Sequence, residues 1–338
     1  MVLVTGGTGL VGSHLLFELL QTETQVRAIY RRAHKLDLVK RVFSYYSEDF
    51  EALFNKIEWI EADITDIPKL EIAFEGVSKV YHCAAFVSFE PDKFETLRKI
   101  NIEGTANIVN LCIAHKVEKM VHVSSIAAIG QPTSNQIIIT EETAWNPEAD
   151  NSVYAITKYG AELEVWRGSQ EGLDVIIVNP GVVIGPGFWR SGSSGSIFTR
   201  VNKNNTYYTK GTSAYIDVVD VAKTMITLMN SSIKNEGYIL IAENLTFKTF
   251  LDTVAKAINV PPTKKEANPW LLHLLWRLDW LKHKITDSRR RMTKQLVNSL
   301  TSRTTYDNSK IKGVLDFSFK DISKSIDDTA KWFLEDKK

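Results

Sequence analysis

The sequence predicts an α/β fold: a doubly wound parallel sheet with a smaller, mostly helical C-terminal lobe after it. Three observations carry this expectation. Short apolar runs rich in Val and Ile alternate with amphipathic stretches as far as residue 180. A glycine-rich turn joins the first run to the first helix, and the alternation stops after Pro180. Strands that alternate with helices imply right-handed βαβ units whose sheet is covered on both faces.

In chain order, the predicted strands are VLVT (2–5), QVRAIY (25–30), IEWIEAD (57–63), KVYHCAA (79–85), KMVHVSS (119–125) and DVIIVNP (174–180). Helices are expected over 10–21, 92–116 and 153–171, where the stretches are amphipathic. Residues 185–214 are rich in Gly, Ser and Asn and read as a long mobile loop region. YIDVVDVAKTMITLM then begins a helix, with Asp217 as its N-cap and Asp220 in its first turn. Residues 246–338 read as mostly helical. The pattern therefore divides the chain into a sheet domain over 1–180, joined by parts of 215–245, and a second lobe over 181–338.

Composition narrows the function classes. Of 338 residues, 44% are hydrophobic and 24% charged, which is ordinary for a globular chain. Lys and Arg number 41 against 40 Asp and Glu, so no excess of positive charge exists to hold a phosphate backbone, and nucleic acid is not an expected partner. The run Arg289–Arg291 reads as a solvated helix face. Cys83 and Cys112 have no CxxC spacing and read as buried thiols in a reducing compartment. The seven histidines show no ligand spacing, so no metal site is expected. The first strand begins at Val2 with no export signal before it, and no apolar run reaches the ~18 residues a bilayer span needs. A cytoplasmic location follows as an expectation.

The turn after the first strand points to a dinucleotide. Gly7, Gly9 and Gly12 satisfy G-x-G-x-x-G between a strand and a helix. The first glycines permit a tight turn and close approach of backbone to a pyrophosphate at the helix N-terminus, and Gly12 lets helix and sheet pack closely. The context is that of a Rossmann-type sheet. Much later, SVYAITKYG puts Tyr154 and Lys158 four residues apart, one above the other on a helix face. Taken alone, such a pair reads equally well as solvated.

Thr5, Gly6, Gly9 and Gly12 also spell T-G-x-x-G-x-x-G, which with YAITK at 154–158 resembles the extended branch of the short-chain dehydrogenase/reductase superfamily. This is the NAD-dependent epimerase/dehydratase family, and the pattern is similar to its dihydroflavonol-reductase-like and 3β-hydroxysteroid-dehydrogenase-like members. The likeness extends through EADITD, HCAA, NIEGTANIV, VSSIAAIG and VNPGVVIGPG to the tail YDNSKIKGVLDFSFKDISKSIDDTAKWF. It implies a catalytic set of Ser125, Tyr154, Lys158 and Asn101. It also implies a cofactor lying along Gly6, Thr8, Gly9, Leu10, Val11 and Gly12, then Asp63 and Ile64, then Cys83, Ala84 and Ala85, then Tyr154 and Lys158, and finally Pro180, Gly181 and Val183.

In that family the tyrosine is the general acid/base. A free phenol ionises near pH 10, and a nearby ammonium lowers that value toward the working range. The lysine also holds the nicotinamide ribose, and the serine holds the substrate oxygen. Ser124 and Ser125 are alike in chemistry; the five-residue spacing to Gly130 favours Ser125. Asn101 either shapes a helix or holds a proton-relay water. Tyr159 and His14 read as packing residues.

NAD-specific sites carry an acid at the end of the second strand. Here that strand ends in Arg31 and Arg32, which suit a 2′-phosphate and favour NADP(H), with NAD(H) as the other possibility. PWLLHLLWRLDWLKHK (269–284) is apolar around most of a helix, and three uses compete for it: packing onto the sheet domain, a lid over an apolar substrate, or a shallow seat on a membrane surface. The expected activity is NADPH-dependent reduction of a ketone or aldehyde with a largely apolar body, or oxidation of the corresponding alcohol. A nucleotide-sugar epimerase or dehydratase with tightly held NAD is the alternative, and a non-catalytic dinucleotide sensor is the third reading. The resemblance implies a homodimer.

Overall fold

The computed structural model describes residues 1–131, 138–190, 194–203, 207–286 and 293–337. The first six main strands follow the predicted runs: β1 (Val2–Thr5), β2 (Val26–Tyr30), β3 (Ile57–Glu61), β4 (Lys79–His82), β5 (Lys119–Val123) and β6 (Asp174–Pro180). After Pro180 come β7 (Val182–Ile184), β8 (Thr212–Asp217), β9 (Glu236–Leu240) and β10 (Glu243–Thr246). Among the described residues a seven-stranded parallel sheet runs in the order β9-β6-β5-β4-β1-β2-β3. Its central strands are buried on both faces, as the unbroken runs of Val and Ile require.

The main helices are α1 (Leu10–Leu19), α2 (Leu36–Ser44), α3 (Phe50–Asn55), α4 (Ile67–Phe74), α5 (Gly104–Ala114), α6 (Val153–Gln170), α7 (Gly195–Asn202), α8 (Val218–Asn230), α9 (Phe247–Ala257), α10 (Pro269–Thr286), α11 (Lys294–Thr301) and α12 (Ile322–Asp336). Leu15, Leu16, Val42, Phe43, Val221 and Met225 bring α1, α2 and α8 onto one face of the sheet. Leu70, Ile108, Val109 and Val165 bring α4, α5 and α6 onto the other. The chain steps outward from β1 to β3 and then returns to β4 on the far side of β1. That reversal leaves a crevice at the C-terminal ends of β1 and β4, where open α/β sheets bind ligands.

Several expectations need correction. The predicted helix 92–116 is broken: a single turn at Pro91–Lys93 and a short helix at Phe94–Leu97 lead into a π-helical turn at Arg98–Glu103 before α5 begins. The predicted loop 185–214 contains α7, because Phe198 and Val201 are buried beside Ile322, Ile326 and Phe333. Tyr215 and Ile216 belong to β8, and the helix starts only at Val218; Asp217 does cap it, accepting from Val219 N at 2.8 Å. Helices α2, α3 and α4 were not predicted. The run Arg289–Arg291 lies outside the described residues.

Strands β7, β8 and β10 form a second, three-stranded sheet. Against it α9 and α12 pack a core in which the Tyr215 and Phe250 rings stack with centroids 4.2 Å apart. Removing a buried ring such as Phe250 costs about 3–5 kcal/mol by transfer and cavity terms. Asp217 also accepts from Ser325 Oγ at 2.6 Å, so the α8 cap holds α12 as well.

Candidate active site

β1 delivers the chain to Gly6, whose φ of +70° lies in the left-handed region that glycine enters freely. A Cβ there would lie 2.6 Å from Ala84 N, at the end of β4. A Cβ on Gly12 would lie 2.2 Å from the Gly6 carbonyl oxygen. The loop is thus pressed between β4 and α1 with no room for a side chain at Gly6 or Gly12. Gly9 stands at the N-cap of α1 without a side-chain cap, which leaves first-turn N–H groups free for an anion. A pyrophosphate fits this cradle by charge and by clearance.

Nine predicted cofactor residues, Gly6, Thr8, Gly9, Arg31, Arg32, Ile64, Cys83, Ala84 and Ala85, line one cleft. Leu10, Val11 and Gly12 form the first turn of α1. Asp63 lines an adjoining depression with Arg31 and Thr65. Pro180, Gly181 and Val183 are not brought to that cleft; they lie where β6 passes into β7.

The cleft mouth is basic. Arg31 Nη1 lies 3.3 Å from Asp63 Oδ2. Burial works against the Asp63 charge, but hydrogen bonds from Thr65 N and Thr65 Oγ1, with help from Arg31, hold its carboxyl below the usual range. Lys35, on the turn Ala33–Lys35, also lines the cleft, and the sequence reading missed it. Burial, then repulsion by Arg31 and Arg32, depresses its ammonium. No carboxylate among the described residues pairs with Arg32 or Lys35. The spacing in YRRAHK was the available signal, but only the single turn folds the lysine back beside the arginines.

Ser125 follows β5 and caps the turn Ile126–Ala128, its Oγ accepting from Ala127 N at 3.2 Å. Tyr154 and Lys158 sit one turn apart on α6, both buried, and Ser152 caps that helix through Ala155 N. Burial pushes the Tyr154 phenol up to about 12, with the Ser125 side chain opposing. Lys158 Nζ instead donates to the Val123 carbonyl at 2.9 Å and lies 3.4 Å from His122 Nε2. Burial lowers its ammonium to about 8, opposed by Glu162 and the Cys83 thiol. The expected lowering of the tyrosine by the lysine is therefore not the arrangement found: the strand-end carbonyl of Val123 engages the amine.

Asn101 is buried in the π-helical turn, where its Oδ1 accepts from Phe86 N at 2.7 Å. Its Nδ2 donates to the Phe86 carbonyl at 3.0 Å and to Thr157 Oγ1 at 3.2 Å. The carboxamide clamps the loop after β4 to α6. That loop carries Phe89, whose ring meets Tyr154 edge-on at 5.4 Å. Val87 and Phe89 are exposed, so an apolar lip stands beside the phenol. Neither was predicted, although the alternation in FVSFE was visible.

Under the site, His82 accepts or donates at Thr5 Oγ1 (2.6 Å) and Thr105 Oγ1 (3.0 Å). Burial, then Lys158, lowers His82 to about 3, and burial, then Lys158 and His82, lower His122 well below its ordinary value, so both rings are neutral scaffolding. Tyr159 stacks on Trp145 at 4.4 Å, and His14 bonds the Leu10 carbonyl at 2.8 Å beside Tyr46; both are packing residues. Among the described residues no group of three or more His, Cys, Asp or Glu could hold a metal ion.

Comparison with known proteins adds three findings. The model of the NAD dependent epimerase/dehydratase family matches residues 2–242. A Synechocystis sp. protein provisionally named dihydroflavonol 4-reductase is 28% identical over 98% of this chain and 93% of its own, and sterol demethylase protein B of Methylococcus capsulatus is 29% identical over 80% and 78%. The UDP-glucose 4-epimerase of Thermotoga maritima, solved with UDP-glucose, shares the fold with a TM-score of 0.76 at 20% identity, over 100% of this chain and 99% of that one.

Proposed function

Because the chain belongs to the NAD dependent epimerase/dehydratase family, and so is an NAD(P)-dependent enzyme by kinship, we propose that it is an NADPH-dependent reductase of ketones or aldehydes with a largely apolar body. The observation that carries this reading is the mouth of the cofactor cleft. Arg31, Arg32 and Lys35 gather where an NAD-selective site would place an acid, and the last two have no carboxylate partner among the described residues. The lip of Val87 and Phe89 beside Tyr154 supports an apolar substrate, as do the names of the two relatives.

When bound, the nicotinamide supplies the hydride. In our reading, Ser125 Oγ holds the carbonyl oxygen and Tyr154 donates the proton that completes the alcohol. A phenol pushed up to about 12 stays protonated at neutral pH, which suits an acid. Lys158, whose amine the Val123 carbonyl engages, would hold the nicotinamide ribose. Asn101 keeps the lip in place through Phe86. Residues 1–180 with parts of 215–245 serve as the dinucleotide-binding domain and 181–338 as the substrate lobe, in a homodimer. The free thiols of Cys83 and Cys112 support a reducing, cytoplasmic setting.

Cofactor titration tests the reading. Charge-assisted contacts are worth roughly 1.5–3 kcal/mol, which is about 10- to 150-fold in affinity. Arg32→Ala and Lys35→Ala are expected to weaken NADPH by that order and to leave NADH nearly unchanged, while Arg31→Ala, whose cation already serves Asp63, loses less. Equal losses for both cofactors, or a parent protein that prefers NADH, would remove the assignment. The second reading, an epimerase or dehydratase of nucleotide sugars, is favoured by the family description and the shared fold; NAD that copurifies in equal amount with the protein would point to it.

A further inference from the structure

Helix α10 is built inside out. Taking 100° per residue, Leu272, Trp276, Asp279 and His283 fall within an arc of about 60°, and Trp270, Leu274, Leu278, Leu281 and Ile285 fall within about 80° on the opposite side. The first set is the inward one: Leu272 and Trp276 pack on Ala267 and Val297, and two of its four positions are polar. The second set faces solvent, with Trp270 64%, Leu278 52% and Ile285 74% exposed. An ordinary surface helix reverses this arrangement, and an exposed apolar face of this size marks an interaction site.

Charge identifies the occupant. From residue 264 to 286 the chain carries Lys264, Lys265, Arg277, Lys282 and Lys284 against only Glu266 and Asp279. That excess exceeds the whole chain's net charge of +1, so the rest of the molecule is net negative. The cations also border the apolar face: at 100° per residue, Arg277 and Lys284 fall about 20–40° beyond one edge of it and Lys282 about 40° beyond the other. The next residues in sequence, DSRRRM at 287–292, offer only Met292 as an apolar side chain to cover the face. A second copy of α10 would set like charges against like, which opposes self-association. No helix of the described residues is long and apolar enough to cross a membrane.

We propose that α10 seats this protein flat on an anionic lipid surface, with Trp270, Leu274, Leu278, Leu281 and Ile285 in the acyl boundary and the flanking Lys and Arg among the headgroups. An amphipathic helix rich in Trp, Leu and bordering cations binds in this way, through buried apolar area together with attraction to acidic lipid. The proposal is independent of the catalytic reading, because it uses no residue of the cofactor cleft.

Cosedimentation of the full chain with vesicles tests it. Phosphatidylcholine vesicles containing roughly one-third phosphatidylglycerol should bind the protein, and pure phosphatidylcholine or about 1 M salt, where screening acts within ~3 Å, should weaken binding by about tenfold or more. Leu274→Asp with Leu278→Asp should abolish binding while leaving the melting temperature within a few degrees, since both side chains face solvent. Lys282→Glu with Lys284→Glu should lose the preference for acidic lipid. Absence of binding to acidic vesicles, or binding unchanged in both double variants, overturns the proposal. So does a parent protein that ignores vesicles but forms an oligomer that Leu278→Asp splits, since the face would then join copies of the chain.

Discussion

The loop after β1 and the outer face of α10 both depart from ordinary packing, in opposite directions. At the loop, side chains are missing: a methyl group on Gly6 or Gly12 would stand 2.6 or 2.2 Å from backbone atoms, closer than contact allows. On α10, side chains are in surplus: large apolar groups stand in solvent with nothing described above them. The first departure is written in backbone constraints, so residue type and spacing state it outright. The second depends on which face of a helix turns inward, and composition cannot say that. A protein can thus announce its cofactor site in a dozen residues while leaving open which face of an apolar helix turns outward.

Paired substitutions sharpen this contrast. Gly12→Ala adds one methyl to a space that has no room, and overpacking of this kind costs typically 1–3 kcal/mol. Denaturant titration should show that loss, and dinucleotide affinity should fall with it. Leu278→Ala removes three carbons from a face already in water and should stay within about 0.5 kcal/mol of the parent. Equal stability losses would mean that the α10 face is packed, and the contrast would collapse.

A smaller effect concerns pH. Tyr154, pushed up to about 12, stays protonated across the working range, so it sets no limit there. Lys158 is lowered to about 8 and carries its charge below that value, so the cation that would hold the ribose is lost as pH rises through it. The kcat/KM for carbonyl reduction should therefore be level near neutrality and fall above about 8, by up to tenfold per pH unit. Lys158→Met should remove that alkaline limb and lower the plateau. A parent profile that rises between pH 8 and 10 would mean that the phenolate, not the phenol, is the working form.

What was legible follows the same division. Gly6 and Gly12 declare themselves because a Cβ at either would clash with backbone, and Tyr154 with Lys158 because helical spacing stacks them. The six strands before residue 180 were legible because a sheet covered on both faces demands continuous apolar runs. The rest depends on distant partners. Lys35 reaches the cleft only through the turn at Ala33–Lys35. The clamp from Asn101 to Phe86 needs a π-helical turn that no local pattern encodes. Helix α7 was hidden in a Gly/Ser-rich stretch because Phe198 and Val201 gain their burial from α12, more than a hundred residues on. Lys158 was placed on the right helix face, but its bond to the Val123 carbonyl is a tertiary fact.

The central claim is that Ser125, Tyr154 and Lys158 complete a reduction paid by NADPH, and the consumption of NADPH measures it most directly. With the parent protein and a series of apolar aldehydes and ketones, one NADPH should be oxidised per carbonyl reduced. Efficiency should rise about fourfold per added methylene, from ~0.8 kcal/mol of burial each, until the pocket is full. Tyr154→Phe, which keeps the ring and loses the proton, should bind NADPH as the parent does and turn over about 10²-fold more slowly or worse. Undiminished turnover in Tyr154→Phe would contradict the mechanism. Conversion of a nucleotide sugar with no net change in NADPH, and no turnover of any apolar carbonyl, would contradict the reductase itself.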